Sequence, residues 1–241
     1  MQMISFVIPT LNEAKTIEQT LQCVAGYSGE HEIIISDGNS QDGTVELAEK
    51  YADKVVIHDK PERQTIAMAR NVGAAAARGD FLVFLDADVV IPDINDFFRI
   101  AEESFRRDDR LLALTVRYRV FPARRTLSDR VIFWMLGFQL WLQNNVFRFG
   151  GSGGEFQMIR TEAFRTVGGF DESLAAAEDM DLFRRLSRAG RTRFEPKLAI
   201  YHTGRRAHAT GWRNLIWEWF RNTTSVWFLR RSASKEWKEI R

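Results

Sequence analysis

Four short apolar runs, residues 4–8, 33–36, 55–57 and 81–85, alternate with helix-like segments near residues 13–24, 44–51 and 64–77. Runs this short, bounded by polar or turn residues, suit strands, and strands alternating with helices specify βαβ units on a parallel sheet. In open sheets of this kind ligands bind outside the carboxyl ends of the strands. Three of those ends are polar here: Thr10-Leu-Asn12-Glu13, Asp37-Gly-Asn-Ser40 and Asp86-Ala-Asp88.

The last of them carries the most chemistry. An extended chain alternates its faces with period two, so Asp86 and Asp88 point the same way and Ala87 the other. Two carboxylates held together want a cation. Hard ions such as Mg²⁺ and Mn²⁺ take carboxylate oxygens, and Mg²⁺ commonly uses one or two of them plus substrate phosphates. The pair predicts a metal and a phosphorylated substrate; a solvated turn is the bland alternative for so short a motif.

The chain of 241 residues is long enough for one domain with an appendage, and 45% hydrophobic with 27% charged residues is ordinary for a globular protein. Cys23 is the only cysteine, which rules out a disulfide framework or a thiolate metal site. The amino terminus lacks a basic segment followed by an apolar one, so no export signal is expected. Net charge is +2, but from Arg205 onward nine Lys and Arg face three Glu, a basic tail on a body of opposite sign. That asymmetry suggests an anionic partner or surface.

Further candidates lie along the chain. Asp37 stands directly at a strand end and reads as a ligand contact, whereas Asp42 equally suits the Asp42-Gly43-Thr44 turn and helix cap. Arg70 opens an alanine-rich helix and offers directional donors to phosphate or carboxylate, or a surface salt bridge. Residues 111–121 alternate as a strand, and residues 131–142 are almost continuously apolar, too few to span a bilayer, which takes about 20. That segment is a buried helix or one facing a membrane or lipid acceptor. The glycines of 150–154 form a loop that a ligand could approach closely. Glu178, Asp179 and Asp181 begin a helix, more acid than capping requires, and Asp179 is the candidate to accept a proton from an attacking hydroxyl. His202 ends a strand-like run, 194–201, as a possible imidazole ligand or a structural histidine.

Taken in order, Val7-Ile-Pro9-Thr-Leu-Asn12-Glu13, Ser36-Asp37-Gly-Asn-Ser40-Gln-Asp42-Gly-Thr44, Ala69-Arg70-Asn71-Val-Gly73, Asp86-Ala-Asp88, Gly168-Gly-Phe170-Asp-Glu172 and Glu178-Asp179 resemble family 2 glycosyltransferases over residues 3–205. The resemblance implies a Rossmann-like α/β fold, the A-type glycosyltransferase fold, with a mostly parallel sheet flanked by helices. It implies inverting transfer of a sugar from a nucleotide-diphosphate donor, UDP- or GDP-linked. On this reading Pro9, Asn12, Glu13, Asp37 and Arg70 line the nucleotide site. Asp86 meets ribose or metal, Asp88 and His202 hold Mn²⁺ or Mg²⁺, and Asp179 is the general base. Arg205 and Arg206 are extra cations for the diphosphate. Residues 1–110 form the nucleotide-sugar half of a catalytic domain, 111–205 the acceptor half, and 206–241 a tail.

No Gln-x-x-Arg-Trp stretch and no membrane-spanning segment is found, which favours single-sugar transfer over polymer synthesis. In the tail, Trp212, Leu215, Ile216, Trp219, Phe220, Val226 and Trp227 recur at helical spacing, with Arg213, Glu218, Arg221 and Asn222 opposite. Such an amphipathic helix suits a membrane interface or packs on the domain. Together, residues 131–142 and 212–231 favour a lipid-linked or membrane-associated acceptor and a peripheral position on the cytoplasmic face, with a soluble saccharide acceptor as the alternative. A nucleotidyltransferase would want a Gly-rich basic loop where Pro9-Thr-Leu-Asn12-Glu13 stands, and a non-catalytic nucleotide-sugar-binding module would not need Asp88 and Asp179 together. No nucleic-acid partner is expected.

Overall fold

The structure is a computed structural model that describes residues 2–229 and 231–234. Its strands are β1 (Ile4–Thr10), β2 (His31–Asp37), β3 (Lys54–Ile57), β4 (Phe81–Leu85), β5 (Leu111–Val120), β6 (Phe156–Arg160) and β7 (Arg191–His202). Its helices are α1 (Ile17–Ala25), α2 (Thr44–Ala48), α3 (Ile66–Ala76), α4 (Ile94–Arg107), α5 (Leu127–Trp141), α6 (Thr161–Thr166), α7 (Glu178–Ala189), α8 (Arg205–Thr210) and α9 (Trp212–Leu229). All seven strands share one sheet in the order β3-β2-β1-β4-β6-β5-β7. The β1–β2, β1–β4, β2–β3 and β5–β7 pairs are parallel, and only β6 runs against its neighbours β4 and β5.

The alternation of side chains on the strands makes two cores. Ile4, Phe6 and Ile8 of β1 pack with Leu21 of α1 and with Phe97, Phe98 and Phe105 of α4 on one face. Val7 and Phe84 pack with Ala67 of α3, Phe164 of α6 and Leu182 and Phe183 of α7 on the other. Buried on both faces, β1 and β4 are apolar almost throughout, as central parallel strands must be.

Strand order reverses between β1 and β4, because β2 and β3 build outward on one side and β4 on the other. That reversal opens a crevice at the carboxyl ends of these two strands. β1 pairs with β4 only over Ile4–Val7, so Pro9 lies past the last of these pairs and its missing N–H costs the sheet no β1–β4 bond.

Several elements, α4 and β6 among them, are hidden in the sequence. The α4 segment has Ile94, Phe97, Phe98, Ala101 and Phe105 at helical spacing, but its many charges hide the stripe. Strand β6 is five residues following a glycine-rich loop and reads as a connector.

The tail needs a correction. Asn222 does not face outward with the charges: it is buried, its amide donating to the Glu218 carbonyl and Ser234 Oγ and accepting the Ser234 N–H. Leu215 and Val226 are buried as well, while Ile216, Trp217 and Phe220 are exposed, so apolar residues occupy both sides of α9. A buried polar residue is tolerated because its hydrogen bonds are answered locally. The Trp227 side chain, Arg230 and residues 235–241 lie outside the described residues. Among the described residues no helix is long and apolar enough to cross a membrane.

Candidate active site

Strand β4 delivers Asp86 and Asp88 to the crevice, and buried Arg70 reaches Asp86 from α3 on one side of the sheet. Its guanidinium donates to Glu178 Oε1 at 2.9 Å, Asp86 Oδ1 at 3.1 Å and the Gly154 carbonyl at 2.9 Å. Burial alone would lower the pKa of Arg70, but Asp86, Glu178 and Asp179 outweigh it and hold the group charged. The side chain is buried and turned to three protein acceptors, so it joins the end of β4 to the start of α7. Gly154 is required by this contact, since a Cβ there would come 2.7 Å from Arg70 Nη2.

α7 begins at Ala177, whose φ of 63° is left-handed, a strained conformation for alanine. The turn aims Glu178 and Asp179 at the crevice from the positive end of the helix. Asp179 has its Oδ1 on the Met180 N–H at 2.7 Å. Burial and then the Glu178 charge push its pKa well up, opposed by Arg70. Burial raises Glu178 too, against Arg70.

Glu155, unremarked in the sequence, completes the set. Burial, followed by the Asp86 and Asp88 charges, pushes it up to about 7. Asp86, Glu155, Glu178 and Asp179 thus share the field of the buried Arg70 guanidinium, a local excess of negative charge that a further cation would relieve.

On the other side of the crevice, Asp88 Oδ2 accepts the Thr203 hydroxyl and lies 3.6 Å from Arg205 Nε. Arg205 also holds Glu13 through two bonds of 2.6 Å. His202 is buried against the edge of Phe133 of α5, with ring centroids 5.0 Å apart. Burial lowers its pKa despite Asp88 and Asp86, which favours neutral imidazole, the form that ligates metals. Its Nδ1 receives a long 3.3 Å contact from the Gly204 N–H, and its Nε2 is buried with no hydrogen-bond partner. Among the described residues no three His, Cys, Asp or Glu groups are arranged to hold a metal by themselves. Asp88 with an orphaned imidazole nitrogen nevertheless fits a hard divalent ion that takes its remaining ligands from a diphosphate and water.

The remaining candidates build the rim. Asp37 is fully buried, its carboxylate accepting Thr10 Oγ1 at 2.6 Å and the Ser40 N–H and hydroxyl at 2.7 Å. Asn12, at φ 52°, donates its N–H to Ser40 Oγ and accepts the Gln41 N–H, tying the ends of β1 and β2 together. Asp42 caps α2 through Thr44. Arg206 is half-buried and feels Glu218 of α9, Asp86 and Glu155.

Comparison with known proteins identifies the family and the fold. The family model for glycosyl transferase family 2 matches residues 5–168. The succinoglycan biosynthesis protein ExoA of Rhizobium meliloti is 32% identical over 199 residues, covering 76% of this chain and 58% of that protein. The chain therefore spans little more than half the length of this relative. Among solved structures, the mannosyltransferase PcManGT of Pyrobaculum calidifontis, in complex with GDP-Man and Mn²⁺, superposes with a TM-score of 0.66 at 20% identity, covering 88% of this chain and 59% of that one. Glucosyl-3-phosphoglycerate synthase of Mycobacterium tuberculosis, with Mn²⁺, UDP and glucosyl-3-phosphoglycerate, superposes with a TM-score of 0.59 at 20% identity, covering 95% and 80%. At such identity the two structures bear on the fold alone, the A-type glycosyltransferase architecture.

Proposed function

The chain belongs to glycosyl transferase family 2, and we propose that it moves a single hexosyl unit, with inversion, from a UDP- or GDP-linked sugar to a hydroxyl of a lipid-linked or membrane-associated acceptor. The observation that carries the reading is the meeting, at one crevice, of the Asp88–His202 corner with Glu178 and Asp179 at the start of α7.

Residues 1–110 supply the donor half and 111–205 the acceptor half. Pro9, Asn12, Glu13 and Asp37 shape the nucleotide rim, with Asp86 toward the ribose; Arg70 acts from within, as the positioning residue that holds Asp86 and Glu178. Asp88 and His202 would hold Mn²⁺ or Mg²⁺, with Asp86 as a further carboxylate in reach. A divalent ion there supplies charge to stabilise the diphosphate as it leaves.

Asp179, as carboxylate, takes the proton of the acceptor hydroxyl. The oxygen attacks the anomeric carbon from the face opposite the diphosphate, the new C–O bond forms, and the electron pair of the broken C–O bond departs on the phosphate oxygen. Arg205 and Arg206 lie where cations would meet that charge. Burial and the Glu178 charge raise the pKa of Asp179, so added positive charge from a loaded donor favours the basic form. Base function is thereby coupled to donor binding.

Asp179→Asn tests the reading. Transfer falls by about a thousandfold or more while nucleotide affinity, measured by calorimetry, stays within about twofold; unchanged turnover would remove Asp179 as the base. On this reading the enzyme works as a peripheral protein at the cytoplasmic face of a membrane.

A further inference from the structure

α5 is apolar on both sides. Phe133 and Leu140 are buried in the body. Leu127, Val131, Trp134, Met135, Phe138 and Trp141 all face solvent, Leu127 at 74% and Trp134 at 70% exposure. At about 100° per residue these six fall within an arc of about 120°. The rings on it are ordered: Trp134 stacks on Phe138 and Phe138 on Trp141, each pair with centroids 6.0 Å apart. An exposed arc of six large apolar side chains, on a helix whose other side is already packed in the core, marks a face meant to be covered.

Charge around the face selects what covers it. Between residues 121 and 154 the one acidic residue is Asp129, and it is buried, accepting the Thr126 N–H, His208 Nε2 and Trp212 Nε1. Arg124, Arg125 and Arg130 at one end of α5 and Arg148 beyond the other are all exposed. The segment therefore presents aromatic rings between arginines with no exposed carboxylate, although acids and bases are nearly equal over the whole chain, 32 against 34. A second copy packed symmetrically on this face would set these arginines against their own kind, with no acid to answer them.

We propose that α5 lies in the headgroup region of a bilayer containing anionic lipid, its aromatic arc sunk at the acyl boundary and its flanking arginines on lipid phosphates. The inner side of the same helix packs Phe133 on His202. The π-helical turn that follows, Leu142–Val146, leads into the glycine loop that ends at Arg70. Docking this face therefore sets the metal corner one helix away from the membrane surface, where a lipid-linked hydroxyl would arrive. The inference deepens the acceptor reading above and rests on it for its purpose. Vesicle binding is measured without donor or acceptor, so failure to bind and failure to transfer sugar are separate results.

The experiment is flotation of the full chain with vesicles of phosphatidylcholine alone or with about a third phosphatidylglycerol. Binding is expected to the anionic vesicles, falling as salt rises. Trp134→Ser with Phe138→Ser lowers the bound fraction by about tenfold, with an unchanged thermal midpoint because both side chains are exposed. Arg124→Glu with Arg125→Glu removes the preference for phosphatidylglycerol. Undiminished binding in both double variants overturns the proposal. So does a wild-type protein that ignores vesicles but self-associates in solution through Trp134 and Phe138.

Discussion

Arg70 Nη1 stands 2.9 Å from Glu178 Oε1, and the same guanidinium stands 3.1 Å from Asp86 Oδ1, so one buried side chain fixes the distance between the end of β4 and the start of α7. Truncating it leaves the surrounding carboxylates unanswered. Arg70→Ala is expected to cost about 3–5 kcal/mol in urea unfolding, the scale for breaking a buried pair. Millimolar Mn²⁺ should recover part of that loss, whereas wild type shifts less; a cost near zero would mean that Arg70 does not hold the cluster.

Glu155 gives the fold a pH dependence whose sign follows from its raised pKa. Its ordinary value is 4.5 and burial with Asp86 and Asp88 carries it to about 7, so the fold favours the protonated acid. The stability it contributes is complete below 4.5 and is lost as pH rises to about 7. Glu155→Gln, which cannot ionise, should therefore gain on wild type across that window and run parallel to it above. Thermal melts in EDTA at several pH values check this, and parallel curves throughout would place Glu155 outside the charged cluster.

Arg205 is the cation best placed to change partners. It is held by Glu13 in two bonds of 2.6 Å and lies 3.6 Å from Asp88, with a side chain 29% exposed. Arg205→Ala should weaken UDP or GDP binding by about tenfold, the scale of one charge-assisted contact. Stability should fall as well, because Glu13 and Asp88 are buried and lose a cationic partner. Loss of stability without loss of nucleotide affinity would make the pair a structural strut.

Much of this arrangement was legible in the sequence. The strand ends at Asp37 and Asp86 could be read because buried parallel strands leave an unbroken apolar run that stops where the crevice begins. Asp179 could be read because three acids crowd one helix start. Glu155 could not: it follows a glycine loop with no periodicity, and only the antiparallel pairing of β6 with β4 brings it beside Asp86. Nor could the inward turn of Arg70, since an arginine on an alanine-rich helix looks the same whether its partner is a phosphate or a carboxylate. The side taken by Asn222 depended on Ser234, a contact that helical spacing does not contain.

On the proposed reading Asp88 and the unpartnered Nε2 of His202 would complete the donor site by holding a divalent ion. Calorimetric titration of UDP and of GDP, each with Mn²⁺ and with EDTA, into wild type and His202→Ala tests it most directly. Mn²⁺ should tighten binding of the cognate nucleotide to wild type by about tenfold or more, and that gain should vanish in the variant. Equal affinities with and without Mn²⁺ in wild type, or the same gain in His202→Ala, would contradict the account.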